Sequence, residues 1–153
     1  MEQLALKLES VLEVVRVKQE VHERPVEYKT GMISSTYAGN FGIREIGDEA
    51  NEVVLVVVLN AKNEINAIHR TFSGSLNTSV AHPREIFRTA ILNNGARIML
   101  FHNHPSGNTE PSNADLSFTR RAIDAGEILG IEVIDHIVVT GTEYLSMREK
   151  GLI

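Results

Sequence analysis

The sequence predicts an α/β fold, a mixed-sheet sandwich with helices on both faces of one sheet. The most apolar run, from Val53 to Leu59, is continuous and rich in β-branched residues, which is typical of a central strand buried on both faces. A turn at residues 60–63 and a second strand across residues 64–72 follow, so these two strands are predicted to form a hairpin. Helical patterns then alternate with further strands. Because the first pair is antiparallel, we expect a mixed sheet and not a doubly wound parallel one.

The first segment, residues 1–26, is predicted to be an amphipathic helix ahead of a domain that covers residues 27–153. Apolar residues recur at helical spacing within residues 2–22, at Leu4, Leu8, Val11, Leu12 and Val15. This spacing predicts an amphipathic helix, and Pro25 ends the pattern because proline cannot continue a helix. The polar face is not strongly basic, so we expect the apolar stripe to contact protein and not a membrane.

Two helix starts are visible in the next part of the chain. Ser34 or Ser35 is a candidate N-cap for a short helix that runs through Ile46. A second helix starts at residues 82–85, where Pro83 lies near the first helical position, and Gly95 stops it.

The last third of the chain alternates strand and helix. Residues 96–101 are predicted to be a buried strand and residues 112–129 a helix that stops at Gly130. Residues 131–139 form a further predicted strand, and residues 143–146 a short one. We expect a short helix at the end of the chain.

The strand and helix of this last third bring metal-binding residue types together. His102 and His104 stand two apart at the end of the strand, so both imidazoles point to one face. A loop containing proline and glycine follows, and Asp115 falls one turn into the helix that starts near Ser112. Two histidines and one carboxylate, with a fourth position for water, are the ligands of a catalytic zinc site. We therefore predict one Zn²⁺ per chain, bound by His102, His104 and Asp115.

Other roles for these residue types remain open. Ser112 and Asp115 have the spacing of a capping box with Asp in place of Glu, so both could cap the helix. His69, His82 and His136 are alternative ligands, but none of them has a histidine partner two residues away. His136 could instead support a ligand by contacting it.

A zinc ion in such a site lowers the pKa of a bound water to about 7 and polarises a carbonyl, so a nearby carboxylate can act as general base. The available glutamates are Glu52, Glu64, Glu85 and Glu110. Glu52 is favoured because it begins the most buried strand, although it could be a solvated residue at a strand start. Ser112 could donate a hydrogen bond to the oxyanion that forms as a carbonyl becomes tetrahedral.

The composition excludes several classes of protein. The chain has 153 residues, 42% of them hydrophobic and 23% charged, as expected for one globular domain. It has no apolar run near the roughly 18 residues of a membrane span and no signal-peptide pattern. Cysteine is absent, which removes disulfides and thiolate ligands and fits a cytoplasmic location. The net charge of −5 argues against a general nucleic-acid surface.

The spaced pattern His102-x-His104, then Ser112-x-x-Asp115, with an upstream glutamate, resembles the JAMM (MPN-plus) metalloprotease motif. The fuller string from His102 to Gly107, with His-Pro-Arg-Glu at residues 82–85 before it and Asp-His at residues 135–136 after it, resembles the bacterial RadC-like branch. This resemblance covers roughly residues 30–153.

The resemblance implies a cytidine-deaminase-like α/β sandwich of the JAB/MPN type. It implies zinc held by His102, His104 and Asp115 with water as the fourth ligand, Glu52 as the catalytic glutamate and Ser112 as the oxyanion donor. It also implies a metal-dependent peptidase acting on peptide or isopeptide bonds of an unidentified protein substrate.

Two departures from the family pattern bear on the substrate and on a role in DNA repair. Asn103 stands where many deubiquitinating members carry Ser or Thr, which argues against ubiquitin-type substrates. The residues before Glu52 do not show the helix-hairpin-helix pattern of full-length RadC-like proteins, which argues against transferring the DNA-repair role of that family.

The sequence thus leaves three hypotheses. The first is a zinc-dependent hydrolase of peptide or isopeptide bonds. The second is a DNA-repair or DNA-processing accessory protein without peptidase activity. The net negative charge of the chain argues against it. The third is an inactive scaffold with a structural metal, against which the intact ligand set speaks.

Overall fold

The computed structural model of the protein describes residues 5–73 and 82–153. After a 3₁₀ turn at Gly31–Ile33, its elements in chain order are α1 (Ser35–Ile46), β1 (Val53–Leu59), β2 (Ile65–Ser73), α2 (Pro83–Leu92), β3 (Arg97–Asn103), α3 (Asn113–Leu129), β4 (Glu132–Val139) and β5 (Tyr144–Ser146). Residues 147–151 form turns and not the predicted short helix.

The five strands form one mixed sheet in the order β2-β1-β3-β4-β5. β1 pairs antiparallel with both β2 and β3, β3 pairs parallel with β4, and β4 pairs antiparallel with β5. The predicted hairpin and the mixed sheet are therefore confirmed. The register places His102 of β3 between Val54 of β1 and Val138 of β4, so this histidine lies in the middle of the sheet.

Helices cover both faces of the sheet, as the sequence predicts. Every residue of β1 is buried. Val54, Val56 and Val58 point to the face covered by α2 and α3, and the alternate residues point to the face covered by α1. α1 packs very closely on β3, since a Cβ on Gly42 would lie 2.7 Å from the Phe101 ring.

The helix boundaries follow local signals in the sequence. Ser34 caps α1 by accepting a hydrogen bond from the amide of Tyr37, and Pro83 opens α2. α3 ends at Gly130, whose φ of +72° favours glycine. Ile91 and Leu129, near the ends of α2 and α3, are 59% and 47% exposed.

The predicted N-terminal helix is wrong. Residues 5–26 contain no helix or strand, and residues 1–4 lie outside the described part of the chain. The apolar side chains that the helix would bury are exposed, among them Leu8, Val11, Leu12 and Val15. An amphipathic helix gains most of its stability from packing its apolar face, and valine-rich sequences have lowered helix propensity. Without that packing, a periodic pattern of apolar residues does not stabilise a helix.

The segment contacts the domain through polar side chains. Arg24 forms an ion pair with Glu45 of α1, with one N–O distance of 2.9 Å, and Gln19 donates to Asn93 beyond α2 at 3.0 Å. The division of the chain at residue 26 stays a prediction. Among the residues that the structure describes, no helix combines the length and the apolar character needed to cross a membrane.

Candidate metal centre

The two histidines of the motif lie where β3 ends. His102 is the next-to-last residue of β3 and is completely buried. His104 lies just beyond the strand, but its amide still donates to the carbonyl of Val139 at 2.8 Å and so continues the pairing with β4. The chain then turns sharply, because the amide of Gly107 donates to the carbonyl of His104 at 3.1 Å. Gly107 has a φ of +86°, a conformation that favours glycine.

Asp115 reaches the same place from the first turn of α3. The hydroxyl oxygen of Ser112 accepts from the amide of Asp115 at 3.0 Å, and Oδ2 of Asp115 accepts from the amide of Ser112 at 2.8 Å. The predicted capping box is therefore confirmed. It also orients the Asp115 carboxylate, which is only 3% exposed, toward the two imidazoles.

One ligand atom from each of His102, His104 and Asp115 lies within 4.8 Å of the others. The two Nε2 atoms are 2.9 Å apart, and Asp115 oxygens lie 3.0 Å from Nε2 of His104 and 3.3 Å from Nε2 of His102. Atoms bound to one tetrahedral zinc at roughly 2.0–2.1 Å lie about 3.3 Å from one another. Small movements of these three side chains would bring their donor atoms to the spacing that such an ion requires. The three residues could therefore hold a metal.

The electrostatics of the three residues are those of a cation site. Burial alone would raise the pKa of the Asp115 carboxyl. The two imidazoles beside it and the amide of Ser112 outweigh burial and hold that pKa well below its usual value. The hydrogen bond to Asp115 in turn raises the pKa of His104. A proton on Nε2 of His104 therefore occupies the region where a metal ion would lie.

The second nitrogen of each histidine is also bonded. Nδ1 of His104 lies 2.7 Å from the carbonyl oxygen of Asn108. A carbonyl only accepts, so Nδ1 carries a proton and donates it. Nδ1 of His102 lies 2.7 Å from Nε2 of His136. Burial lowers the pKa of His136 well below its usual value, so this ring is neutral.

The alternative histidine ligands lie outside the cluster. His136 contacts His102 from the side away from Asp115. It therefore supports the His102 ring and is not itself part of the cluster. His69 bonds Thr89 of α2 through Nδ1 at 2.7 Å. His82 occupies the N-cap position of α2.

Glu52 lies close to the cluster. β1 and β3 pair with Val54 opposite His102, so continuing that antiparallel register by two residues puts Glu52 level with His104. Its charge also raises the pKa of His104. The other glutamates have different surroundings: Glu64 accepts from Asn60 in the hairpin turn at 3.2 Å, and Glu85 lies 3.5 Å from Arg88 on α2.

Asn103, between the two histidines, has a structural role that its place in the motif did not predict. Its side chain points to the opposite side of β3 and is completely buried. Oδ1 accepts from the amide of Val53 at 2.7 Å, and Nδ2 donates to the carbonyls of Glu49 and Asn51 at 3.2 and 3.0 Å. Asn103 thus clamps the segment that carries Glu52 onto the metal-binding strand. A polar residue inside an apolar strand was the available signal.

A mixed α/β sandwich with His-x-His at a strand end and an aspartate in the next helix defines a domain of the JAB class. Residues 32–152 match the family model described as the RadC-like JAB domain, and the chain belongs to this family.

Several bacterial proteins named UPF0758 are similar to this chain. One from Latilactobacillus sakei is 38% identical over 147 residues, which are 96% of this chain and 64% of the relative. Relatives from Clostridium beijerinckii and Enterococcus faecalis are 48% and 46% identical over 109 residues, which are 71% of this chain and about half of each relative. The chain thus spans roughly half to two thirds of the length of these relatives.

Proposed function

We propose that this protein is a zinc-dependent hydrolase of peptide or isopeptide bonds. The observation that carries the proposal is the convergence of His102, His104 and Asp115 on one point at the end of β3, in a chain of the RadC-like JAB family. The His102 side chain is fully buried, whereas the His104 side chain is 11% exposed. A substrate would therefore approach from the His104 side.

A zinc ion bound there would supply a water of lowered pKa and polarise the substrate carbonyl. Zinc is favoured over harder cations because two of the three donor residues are histidines, whose imidazole nitrogens suit zinc. Membership in the JAB family and the set of donor atoms both support a bound metal ion.

Glu52 would serve as the general base. Its position level with His104 puts a carboxylate beside the site where a water proton must be taken up. The same carboxyl group would then return that proton to the departing amine. Asn103 bonds the backbone of Asn51 and Val53, the two neighbours of Glu52, and so helps to keep Glu52 in place.

Ser112 would donate to the developing oxyanion. Its oxygen accepts from the amide of Asp115, and this bond leaves the hydroxyl proton free for another partner. The side chain is at an exposed position beside the cluster, where a substrate carbonyl can reach it.

The proposed substrate is a peptide or protein, and the proposed location is the cytoplasm, in keeping with the absence of cysteine. The alternative, a DNA-processing accessory without peptidase activity, would require salt-dependent DNA binding, which a net charge of −5 does not favour.

Digestion of a peptide library by the zinc-loaded protein tests the proposal. We expect cleavage that is lost in Glu52→Gln while bound zinc is kept, and that survives in the control Glu110→Gln, which changes an exposed loop carboxylate. Cleavage by Glu52→Gln at the wild-type rate would remove Glu52 from the role of base. Absence of any cleavage, together with DNA binding that weakens with salt, would favour the alternative.

A further inference from the structure

A buried chain of hydrogen bonds runs from His102 into the protein interior. Nδ1 of His102 lies 2.7 Å from Nε2 of His136, and Nδ1 of His136 lies 2.6 Å from Oγ1 of Thr119. Oγ1 of Thr119 lies 2.7 Å from the backbone carbonyl oxygen of Asp115. The side chains of His102, His136 and Thr119 are all completely buried.

The hydrogen bond between the two ring nitrogens is ambiguous, because either ring can be the donor. If His102 donates from Nδ1, its Nε2 keeps a free lone pair that points at the cluster and can bind a cation. If His136 donates, Nδ1 of His102 must accept. The ring proton of His102 then lies on Nε2, and that atom cannot bind a metal. His104 has no such ambiguity, since its Nδ1 faces the carbonyl of Asn108.

Thr119 removes the ambiguity. Its hydroxyl has one proton, and the carbonyl of Asp115 can only accept it. Oγ1 must then accept from Nδ1 of His136, which leaves Nε2 of His136 as an acceptor. The thioether of Met147, 3.6 Å from Oγ1, is a weak acceptor and does not compete with a carbonyl.

We propose that Thr119 and His136 are positioning residues that fix the tautomer of His102, so that Nε2 of His102 is free to bind the metal. This inference rests on the metal site of the proposed function and adds to it two residues that touch neither metal nor substrate. Thr119 lies one helical turn after Asp115 on α3, so one helix both supplies a ligand and sets the tautomer of another.

Zinc affinity tests the proposal. Thr119→Val keeps the shape of the side chain and removes the hydroxyl. We expect the zinc dissociation constant, measured by competition with a chromophoric chelator, to rise about 10- to 100-fold. Thr119→Ser restores the hydroxyl and should restore the affinity. Thr89→Val is the matched control, because it removes a threonine–histidine hydrogen bond outside the cluster, that to His69.

A second measurement reads the tautomer directly and needs no metal. Nitrogen-15 NMR of the imidazoles in the metal-free protein should show the proton of His102 on Nδ1, and Thr119→Val should move a share of that proton to Nε2. A His102 proton on Nε2 in the wild type would overturn the proposal. So would a Thr119→Val protein that binds zinc within twofold of the wild type.

Neither measurement depends on hydrolysis. If the wild-type protein binds zinc through this arrangement but cleaves no peptide, the proposed function fails while the roles of Thr119 and His136 stand. If the wild-type protein binds no zinc, the tautomer of His102 in the metal-free protein still decides between the two arrangements.

Discussion

Replacing Asn103 by alanine tests how the strand that binds the metal holds the segment that carries Glu52. The substitution leaves the buried amide of Val53 without its acceptor, at a residue that is only 6% exposed. A buried donor without a partner costs about 1–3 kcal/mol. The carbonyls of Glu49 and Asn51 also lose their donor, but they lie in an accessible loop where water can replace it, so each adds about 0.5 kcal/mol.

We therefore expect Asn103→Ala to lower the free energy of unfolding of the metal-free protein by about 2–4 kcal/mol, a large share of the 5–15 kcal/mol typical of a domain. Urea unfolding followed by far-ultraviolet circular dichroism measures this, and a chelator removes any contribution from bound metal. Asn113→Ala, at an exposed position in the first turn of α3, is the control and should change stability by less than about 0.5 kcal/mol.

Hydrogen exchange locates the effect. The amide of Val53 should lose protection in Asn103→Ala more than the amides in the middle of β1 do, because only its own acceptor has been removed. A loss of stability below about 1 kcal/mol, with the Val53 amide still protected, would refute the clamp. Asn103 would then be a passive residue between two ligands.

Three further predictions follow from the same geometry. Ser112→Ala removes the side-chain acceptor of the capping box and should destabilise the metal-free protein by about 1 kcal/mol in urea unfolding; an unchanged midpoint would contradict the role of the cap. Gly42→Ala would put a Cβ 2.7 Å from Phe101 and should cost about 1–3 kcal/mol, whereas a stability equal to the wild type would show that α1 can move away from the sheet. Because the pKa of His104 is raised above its usual 6.5 by Asp115, protons compete with zinc near neutral pH. Zinc affinity should therefore increase as pH rises through that pKa, and calorimetry in two buffers of different ionisation enthalpy should show proton release, while identical heats would contradict the competition.

The parts of the fold that the sequence predicted are those that depend on local signals. The run from Val53 to Leu59 is predicted to be a strand because its length, its β-branched residues and its hydrophobicity all favour one. Pro83 and Gly130 mark a helix start and a helix end through their backbone conformation alone. The N-terminal helix failed for the opposite reason. Its periodic pattern is also local, but a helix of this kind needs a surface to pack against, and the sequence does not show whether that surface exists.

The same distinction holds for the site. His102, His104 and Asp115 lie within 14 consecutive residues, so strand and helix periodicity was enough to bring them together. Asn103 bonds Val53 across 50 positions, and Thr119 bonds His136 across 17. Such contacts depend on which strands become neighbours and with what register, which a pattern within one element does not specify.

The contact between His102 and His136 shows this most clearly. The parallel pairing of β3 with β4 places His102 beside Val138, and the His136 ring reaches His102 from the same face two residues earlier. A shift of one residue in that pairing would turn the His136 ring to the other face of the sheet. The support for the ligand is thus a product of the sheet register and not of the motif.

X-ray absorption at the zinc edge, on protein loaded with one equivalent of zinc, tests the metal centre most directly. We expect one zinc per chain with two imidazole nitrogens and light oxygen ligands at about 2.0–2.2 Å, and loss of that signal in His104→Ala and in Asp115→Ala. Zinc that still binds with one equivalent in both variants, or a wild-type protein that binds none, would contradict a metal site formed by His102, His104 and Asp115.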